Sequence, residues 1–258
     1  MKRVMREVEG VIHLAAIVSV DEAIENPALT YDVNIRGTLI LLENARKYEV
    51  DRFVFASSTA VYGEPPKIPI TEDMPTNPIN PYGASKLAAE ALVNAYAKTY
   101  GLSTISLRYF NVYGSRMKTG SYAGVIAKFI TAALRGEPLI IYGDGNQIRD
   151  FVYVEDVARA NVIAIKSKAT GSFNVGTGVG TRILELAQKI RSIIKSRSKI
   201  IFNEPRPGDI KRSVADIQKT RRVLKWFPKV ELLQGLRKTV EYFTYLLSLP
   251  GSHTYSNA

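Results

Sequence analysis

Phe53 to Gly63 reads FVFASSTAVYG, and its first part, taken from Arg52 (RFVFAS), predicts a buried strand that ends in the hydroxyls Ser57, Ser58 and Thr59. Upstream, Val11 to Ala16 (VIHLAA) is a short apolar run with little polar alternation, as expected for a parallel strand covered on both faces. A helix is expected from about Pro27 to Tyr48, with Asn26 as cap and Pro27 in the first turn. Downstream, Gly63 to Pro81 holds six prolines and reads as a loop. Ser85 to Tyr100 alternates small and large apolar residues at helical spacing, with Leu87, Ala91, Leu92 and Ala95 on one side, and Thr104 to Arg108 (TISLR) supplies a third strand. Strand, helix, strand, helix, strand is the pattern of an α/β protein with a doubly wound parallel sheet and right-handed crossovers, so binding belongs at the carboxyl ends of the strands.

After Phe110 the rhythm changes to short elements. Gly124 to Arg135 reads as helix, Leu139 to Tyr142 as extended, Gly143 to Gly145 as a turn, Val157 to Ser167 as helix and Ser172 to Gly176 (SFNVG) as strand. An amphipathic helix around Leu232 to Leu247 belongs to a smaller C-terminal lobe, and the tail from Pro250 to Ala258 is expected to fray.

The 258 residues are 46% hydrophobic and 23% charged, which suits a folded chain and excludes disorder as its main state. Of the net charge of +11, the segment Arg182 to Lys225 supplies +9, with thirteen Lys/Arg against four Asp/Glu. Its aromatic interleaving is thin and no RNA-binding or zinc-finger pattern accompanies it, so no nucleic-acid partner is expected. The absence of cysteine excludes disulfides and thiolate chemistry. His13 and His253 are the only histidines and lack metal-motif spacing, so no metal site is expected. No apolar run approaches the ~20 residues of a membrane span and the start lacks a signal-peptide core, so a cytoplasmic location without a membrane partner is expected.

The chemistry gathers at Tyr82-Gly-Ala-Ser-Lys86. Positions four apart share a helix face, so the Lys86 ammonium can sit near the Tyr82 phenol and favour its ionised form. A phenol with an ordinary pKa of ~10 needs such help to act as a base at neutral pH. The Ser57 to Thr59 hydroxyls stand at a strand's carboxyl end, 24 residues before Tyr82 when counted from Ser58, where they can hydrogen-bond a substrate oxygen and steady a phenol.

With these motifs in order, namely VIHLAA, NIRGTLILLENA, FVFASSTAVYG, NPYGASK, LRYFNVYG, YGDGNQIRDFVYVEDVA, FNVGTG and RPGD, the chain resembles the nucleotide-sugar epimerase/dehydratase family of the extended short-chain dehydrogenase/reductases, on its UDP-glucose 4-epimerase side. The resemblance implies a Rossmann-like fold and NAD-dependent epimerisation at C4 of a UDP-hexose through a 4-keto sugar. It implies Tyr82 as base toward the sugar 4-hydroxyl, Lys86 on the nicotinamide ribose and Ser58 hydrogen-bonded to the same hydroxyl. Cofactor contacts carried over by the resemblance are Leu14, Ala15, Ala16, Asn34, Ser57, Tyr82, Lys86, Tyr109 and Phe110. Substrate contacts carried over are Ser58, Asn111, Tyr142, Arg149, Arg206 and Asp209: charge-assisted donors suit a diphosphate, Asp209 a ribose diol and Tyr142 a uracil face. Residues 1–110 with 151–176 would form the NAD-binding part, and 111–150 with 177–258 the sugar-nucleotide lobe.

Two departures qualify the resemblance. Where dehydratases of the family place an Asp-Glu pair after the catalytic Ser/Thr, Thr59-Ala60 stands here, which disfavours dehydration. Four residues past Asp209, where epimerases limit the bulk of the sugar's C2 substituent, stands Ser213, so N-acetylhexosamines are also expected to fit. The family's opening strand, Gly-x-x-Gly-x-x-Gly turn and acidic residue are not in this sequence, and VIHLAA matches the fourth strand of the full sheet, a difference of about 60 residues. Two readings stay open on that ground: a fragment or mis-started product of a whole epimerase, or a naturally shortened UDP-sugar-binding protein with weak or no catalysis. A reductase or decarboxylase on the same scaffold is the other alternative. The resemblance further implies a homodimer through the helices at Pro27 to Tyr48 and Ser85 to Tyr100.

Overall fold

In the computed structural model, which describes residues 2–117, 119–120, 123–206 and 209–249, the strand β2 is buried along its whole length. The expected frayed tail lies outside the described residues. The order of elements is α1 (Lys2–Met5), β1 (Gly10–His13), α2 (Val20–Glu25), α3 (Pro27–Tyr31), a π-helical turn (Asp32–Arg36), α4 (Gly37–Lys47), β2 (Arg52–Ser58), a 3-10 turn (Thr59–Tyr62), α5 (Pro81–Tyr100), β3 (Thr104–Tyr109) and β4 (Asn111–Tyr113). There follow α6 (Val125–Arg135), β5 (Leu139–Tyr142), β6 (Ile148–Tyr153), α7 (Val154–Lys166), β7 (Gly171–Val175), β8 (Gly180–Arg182), α8 (Ile183–Ile194), β9 (Ile200–Asn203), β10 (Arg212–Ser213), α9 (Gln218–Leu224) and α10 (Leu232–Ser248).

Alternation along β2 shows why the sheet is covered twice. Phe53 and Phe55 pack with Leu42 and Ala45 of α4 and Ala89 and Val93 of α5, whereas Val54 packs with Val157, Ala160 and Ala164 of α7. Burying each phenylalanine under α4 and α5 contributes about 1.5–3 kcal/mol, and Val54 adds its share under α7. The strands run in the order β1-β2-β3-β7, all parallel, which is the Rossmann-like sheet expected from the sequence. A second sheet joins β10, β6 and β4 in parallel with β8 antiparallel to β6, and β5 pairs with β9. The C-terminal lobe has its own core, built from α6, α8 and α10 around Phe129, Leu186 and Phe243.

Four expectations need correction. β1 ends at His13 rather than Ala16, because its pairing with β2 stops at His13 opposite Phe55 and the chain then leaves the sheet. The helix expected from Pro27 to Tyr48 is broken into α3, the π turn and α4, and Asn26 makes no side-chain cap. α5 starts at Pro81, not Ser85, and buries Gly83, Ser85, Lys86, Ala89, Glu90, Val93 and Tyr96 rather than the side bearing Ala91 and Ala95. Three of those buried side chains are polar, so hydrophobic spacing pointed at the wrong face. The strands β4, β6, β8, β9 and β10 were not expected; β8 and β10 are short and carry arginines, which hides them from an apolar pattern.

Candidate active site

The amino end of α5 is built to sit against the end of β2. Asn80 caps the helix, its Oδ1 accepting the Gly83 N–H at 2.9 Å, and Pro81 stands in the first turn. Gly83 permits the approach: a Cβ there would lie 2.6 Å from the Ala60 carbonyl oxygen, in the 3-10 turn that follows Ser58. Close backbone contact at this point brings three α5 side chains, one helical turn apart, onto consecutive residues of β2. The Tyr82 phenol is placed beside the Ser58 hydroxyl, which favours its ionised form, Lys86 Nζ donates to the Ala56 carbonyl at 2.9 Å, and Ser57 Oγ donates to Glu90 Oε2 at 2.5 Å.

Burial dominates the electrostatics. It pushes the Tyr82 phenol above its ordinary value, opposed by the hydrogen bond from Ser58. Burial also brings the Lys86 ammonium down to about 8. His13, bonded through Nε2 to Thr38 Oγ1 at 2.9 Å, is brought down to about 4 by burial and by the nearby Lys86 charge, so it is neutral at physiological pH. The expected depression of the Tyr82 pKa by Lys86 is therefore not found: Lys86 is turned to the β2 backbone, and Ser58 is the group that favours the phenolate.

The residues expected around a cofactor divide into two sets. Leu14 and Ala15 are exposed just past the carboxyl end of β1, Ala16 is half-buried beside them, and Tyr82 and Lys86 stand on the next element inward. Lys86 is 4% exposed and, among the described residues, Ala56 O is the one hydrogen-bond acceptor of its ammonium, so two of its N–H groups have capacity for a ribose diol. That donor capacity beside an apolar rim fits the nicotinamide half of NAD. The second set acts as braces. Asn34 uses its amide on the Ile17 N–H at 2.8 Å, the Ile17 carbonyl at 2.9 Å and Ser85 Oγ at 2.9 Å; Ser57 is turned to Glu90; Tyr109 donates to Asn161 at 2.8 Å; Phe110 is in the core with Tyr62 and Ile70.

The residues expected around a substrate, Ser58 apart, gather in the second lobe. Arg149 Nη2 donates to Asp209 Oδ1 at 2.6 Å, Gln147 Nε2 reaches Asp209 Oδ2 at 3.3 Å, and the Arg206 guanidinium lies 4.0 Å from the centre of the Tyr142 ring. Arg206 also pairs with Asp21 of α2 at 3.6 Å, which ties this lobe to the loop after β1. Among the described residues Asn111 Oδ1, which is buried, has no hydrogen-bond partner, as suits an acceptor kept for a ligand. Ser213 Oγ lies 3.2 Å from Thr59 Oγ1, so β10 abuts the residue next to Ser58. Asp21, Gly83, Glu90 and Gln147 were missed in the sequence. Glu90 alone carried a usable signal, since it follows Lys86 by one helical turn.

Comparison with known proteins agrees with the fold. Residues 1–176 match the model of the NAD dependent epimerase/dehydratase family. A UDP-glucose 4-epimerase of Mycolicibacterium smegmatis is 43% identical over 237 residues, covering 91% of this chain and 76% of that protein. The crystal structure of the Thermotoga maritima UDP-glucose 4-epimerase with UDP-glucose superposes with a TM-score of 0.92 at 40% identity, covering 96% of this chain and 82% of that one. The Thermus thermophilus UDP-glucose 4-epimerase in complex with NAD gives a TM-score of 0.88 at 40% identity, covering 94% and 80%.

Proposed function

This chain belongs to the NAD dependent epimerase/dehydratase family, and from that premise we propose that the Ser58, Tyr82 and Lys86 cluster carries out NAD-dependent epimerisation at C4 of a UDP-hexose. The observation that carries this reading is the close approach of the α5 amino end to the end of β2, which sets Tyr82 beside Ser58 and buries Lys86 with its Nζ on the Ala56 carbonyl. Bound NAD supplies the acceptor that takes a hydride from C4 and returns it to the opposite face. Tyr82 receives the proton of the 4-hydroxyl as the sugar becomes a ketone, and gives it back when the ketone is reduced. Ser58 holds the same oxygen and favours the phenolate of Tyr82. Lys86 orients the ribose of the cofactor through its spare N–H groups, with Leu14, Ala15 and Ala16 lining the apolar side.

In the second lobe Arg149 and Arg206 take the diphosphate, Tyr142 the uracil, Asp209 the ribose diol and Asn111 a sugar-side donor. Binding in this manner exchanges the Arg149 to Asp209 and Arg206 to Asp21 pairs for contacts with substrate. The small Ser213 beside Thr59 leaves space for an N-acetyl group at C2, and Thr59-Ala60 offers no acid/base pair for dehydration. Residues 1–110 with 151–176 then form the cofactor-binding part, and 111–150 with 177–258 the substrate lobe.

A homodimer is part of the same reading, supported by Leu29, Tyr31, Leu39 and Ile40, which stand exposed on α3 and α4. Among the described residues no helix is long and apolar enough to cross a membrane. A cytoplasmic location is proposed from the NAD and nucleotide sugars that the site takes. The test is incubation with NAD and either UDP-glucose or UDP-N-acetylglucosamine: the C4 epimer is expected from both. Failure with both contradicts the reading, and failure with the second alone contradicts the role given to Ser213.

A further inference from the structure

Glu90 is a carboxylate in the core that the chemistry above does not use. It lies one turn beyond Lys86 on α5, is 2% exposed, and accepts hydrogen bonds from three strands: Ser57 Oγ of β2 at 2.5 Å, Arg108 Nε and Nη2 of β3 at 3.1 and 2.6 Å, and Ser172 Oγ of β7 at 2.6 Å. Arg108, itself buried, spends Nη1 on the Tyr62 hydroxyl at 2.8 Å and the Glu72 carbonyl at 3.1 Å. These donors hold the Glu90 carboxyl below its ordinary value against the opposing effect of burial, so it is ionised.

A buried ion pair is a poor source of stability, because desolvation offsets most of the attraction and an apolar pair of similar volume often does as well. Its use must lie in what it fixes. Ser57 is the neighbour of Ser58, and the carboxylate that receives the Ser57 hydroxyl is on the same helix face as Tyr82 and Lys86. The strand end is thus clamped to the helix on the far side of Ser58 from the 3-10 turn.

We propose that Glu90 is a positioning residue for the reaction: by holding Ser57 against α5 and Arg108, it fixes the end of β2 so that the Ser58 hydroxyl stays on the Tyr82 phenol. The kinetic part of this inference rests on the epimerase reading; the geometric part does not. Charged and titratable groups around the two residues are Lys86 on α5, His13 on β1, Arg108 on β3, Tyr62 in the 3-10 turn and Glu72 in the loop after it. Ser58 favours the phenolate of Tyr82, and the Glu90 carboxylate, a like charge, opposes it. Loss of the Glu90 charge alone lowers the Tyr82 midpoint, whereas loss of the Ser58 hydrogen bond raises it. The two roles are separated by sign.

The experiment is a pH titration of the Tyr82 ring carbon bearing the hydroxyl, by NMR on NAD-loaded protein labelled at that carbon in tyrosine, with the resonance assigned from Tyr82→Phe. The wild type is compared with S57A, E90Q and S172A. S57A and E90Q are expected to raise the midpoint by about 0.5 unit, roughly a threefold loss of phenolate at a given pH below it. The same variants should lower kcat on the acid side with KM for UDP-glucose unchanged. S172A, which removes a β7 contact and leaves Ser57 in place, should not move the midpoint. S57A keeps the ion pair and decides the matter if E90Q does not fold. An unchanged or lowered midpoint in S57A overturns the proposal, as does an equal rise in S172A, which means general loosening. A wild type that titrates as expected yet does not epimerise UDP-glucose contradicts the functional reading and leaves the positioning role standing.

Discussion

Arg149 Nη2 lies 2.6 Å from Asp209 Oδ1, so two residues assigned to different parts of a UDP-sugar are paired with each other in the free protein. The arginine side chain is mostly shielded, 15% exposed, and the carboxylate is the more open partner at 33%. Arg149→Met is expected to weaken UDP binding by roughly 10- to 100-fold, the equivalent of about 1.5–3 kcal/mol for a charge-assisted hydrogen bond. Calorimetry with UDP checks this. An unchanged affinity removes Arg149 from the diphosphate site.

Tyr82→Phe keeps the ring and removes the acid/base group. The expected result is a loss of kcat of about 10²- to 10⁴-fold with UDP-sugar affinity within a factor of about three of the wild type. Because the proton acceptor is the phenolate and burial holds the phenol above its ordinary value, the wild-type rate should rise with pH on the alkaline side of neutrality. Steady-state rates across pH, together with equilibrium binding, test both statements.

Gly83→Ala places a methyl 2.6 Å from a backbone oxygen that has no rotamer with which to retreat. Helix α5 must then move away from the 3-10 turn after Ser58. A stability loss of about 1–3 kcal/mol is expected from overpacking, with a fall in kcat larger than the fall in folded fraction. Thermal unfolding measured beside turnover separates the two.

His13 gives the pH dependence of stability a definite sign. Its pKa is about 4 in the folded protein against an ordinary value of 6.5, so between those values the unfolded chain binds more protons. The contribution is fully present above about 6.5 and is lost as pH falls toward 4, amounting to about 3 kcal/mol at most. Urea unfolding of wild type and His13→Asn at several pH values should show a shallower acid decline in the variant.

How much of this was legible in the sequence depends on what each residue type signals. The four parallel strands announced themselves because strands covered on both faces read as apolar runs, as in RFVFAS and TISLR. The Tyr82 and Lys86 pair and the Ser57 to Thr59 hydroxyls were read from spacing and order, and the resemblance selected Ser58 among them. The buried side of α5 was not read from spacing, because Ser85, Lys86 and Glu90 occupy it and a polar residue carries no mark of burial. Arg149 and Asp209 were identified singly, but their pairing joins positions 60 apart and depends on how β6 meets the segment before β10. Asp21 was unseen for the same reason: its partner Arg206 belongs to the other lobe.

The most direct test of the central claim is the fate of the hydrogen at C4 when the protein acts on UDP-glucose with NAD in deuterated water. The account requires interconversion with UDP-galactose in which the C4 hydrogen is retained, since it leaves and returns within the site while only the hydroxyl proton exchanges through Tyr82. NMR of the product should show full protonation at C4 and no net NADH. Deuterium at C4, net accumulation of NADH, or no galactose form at all would contradict it.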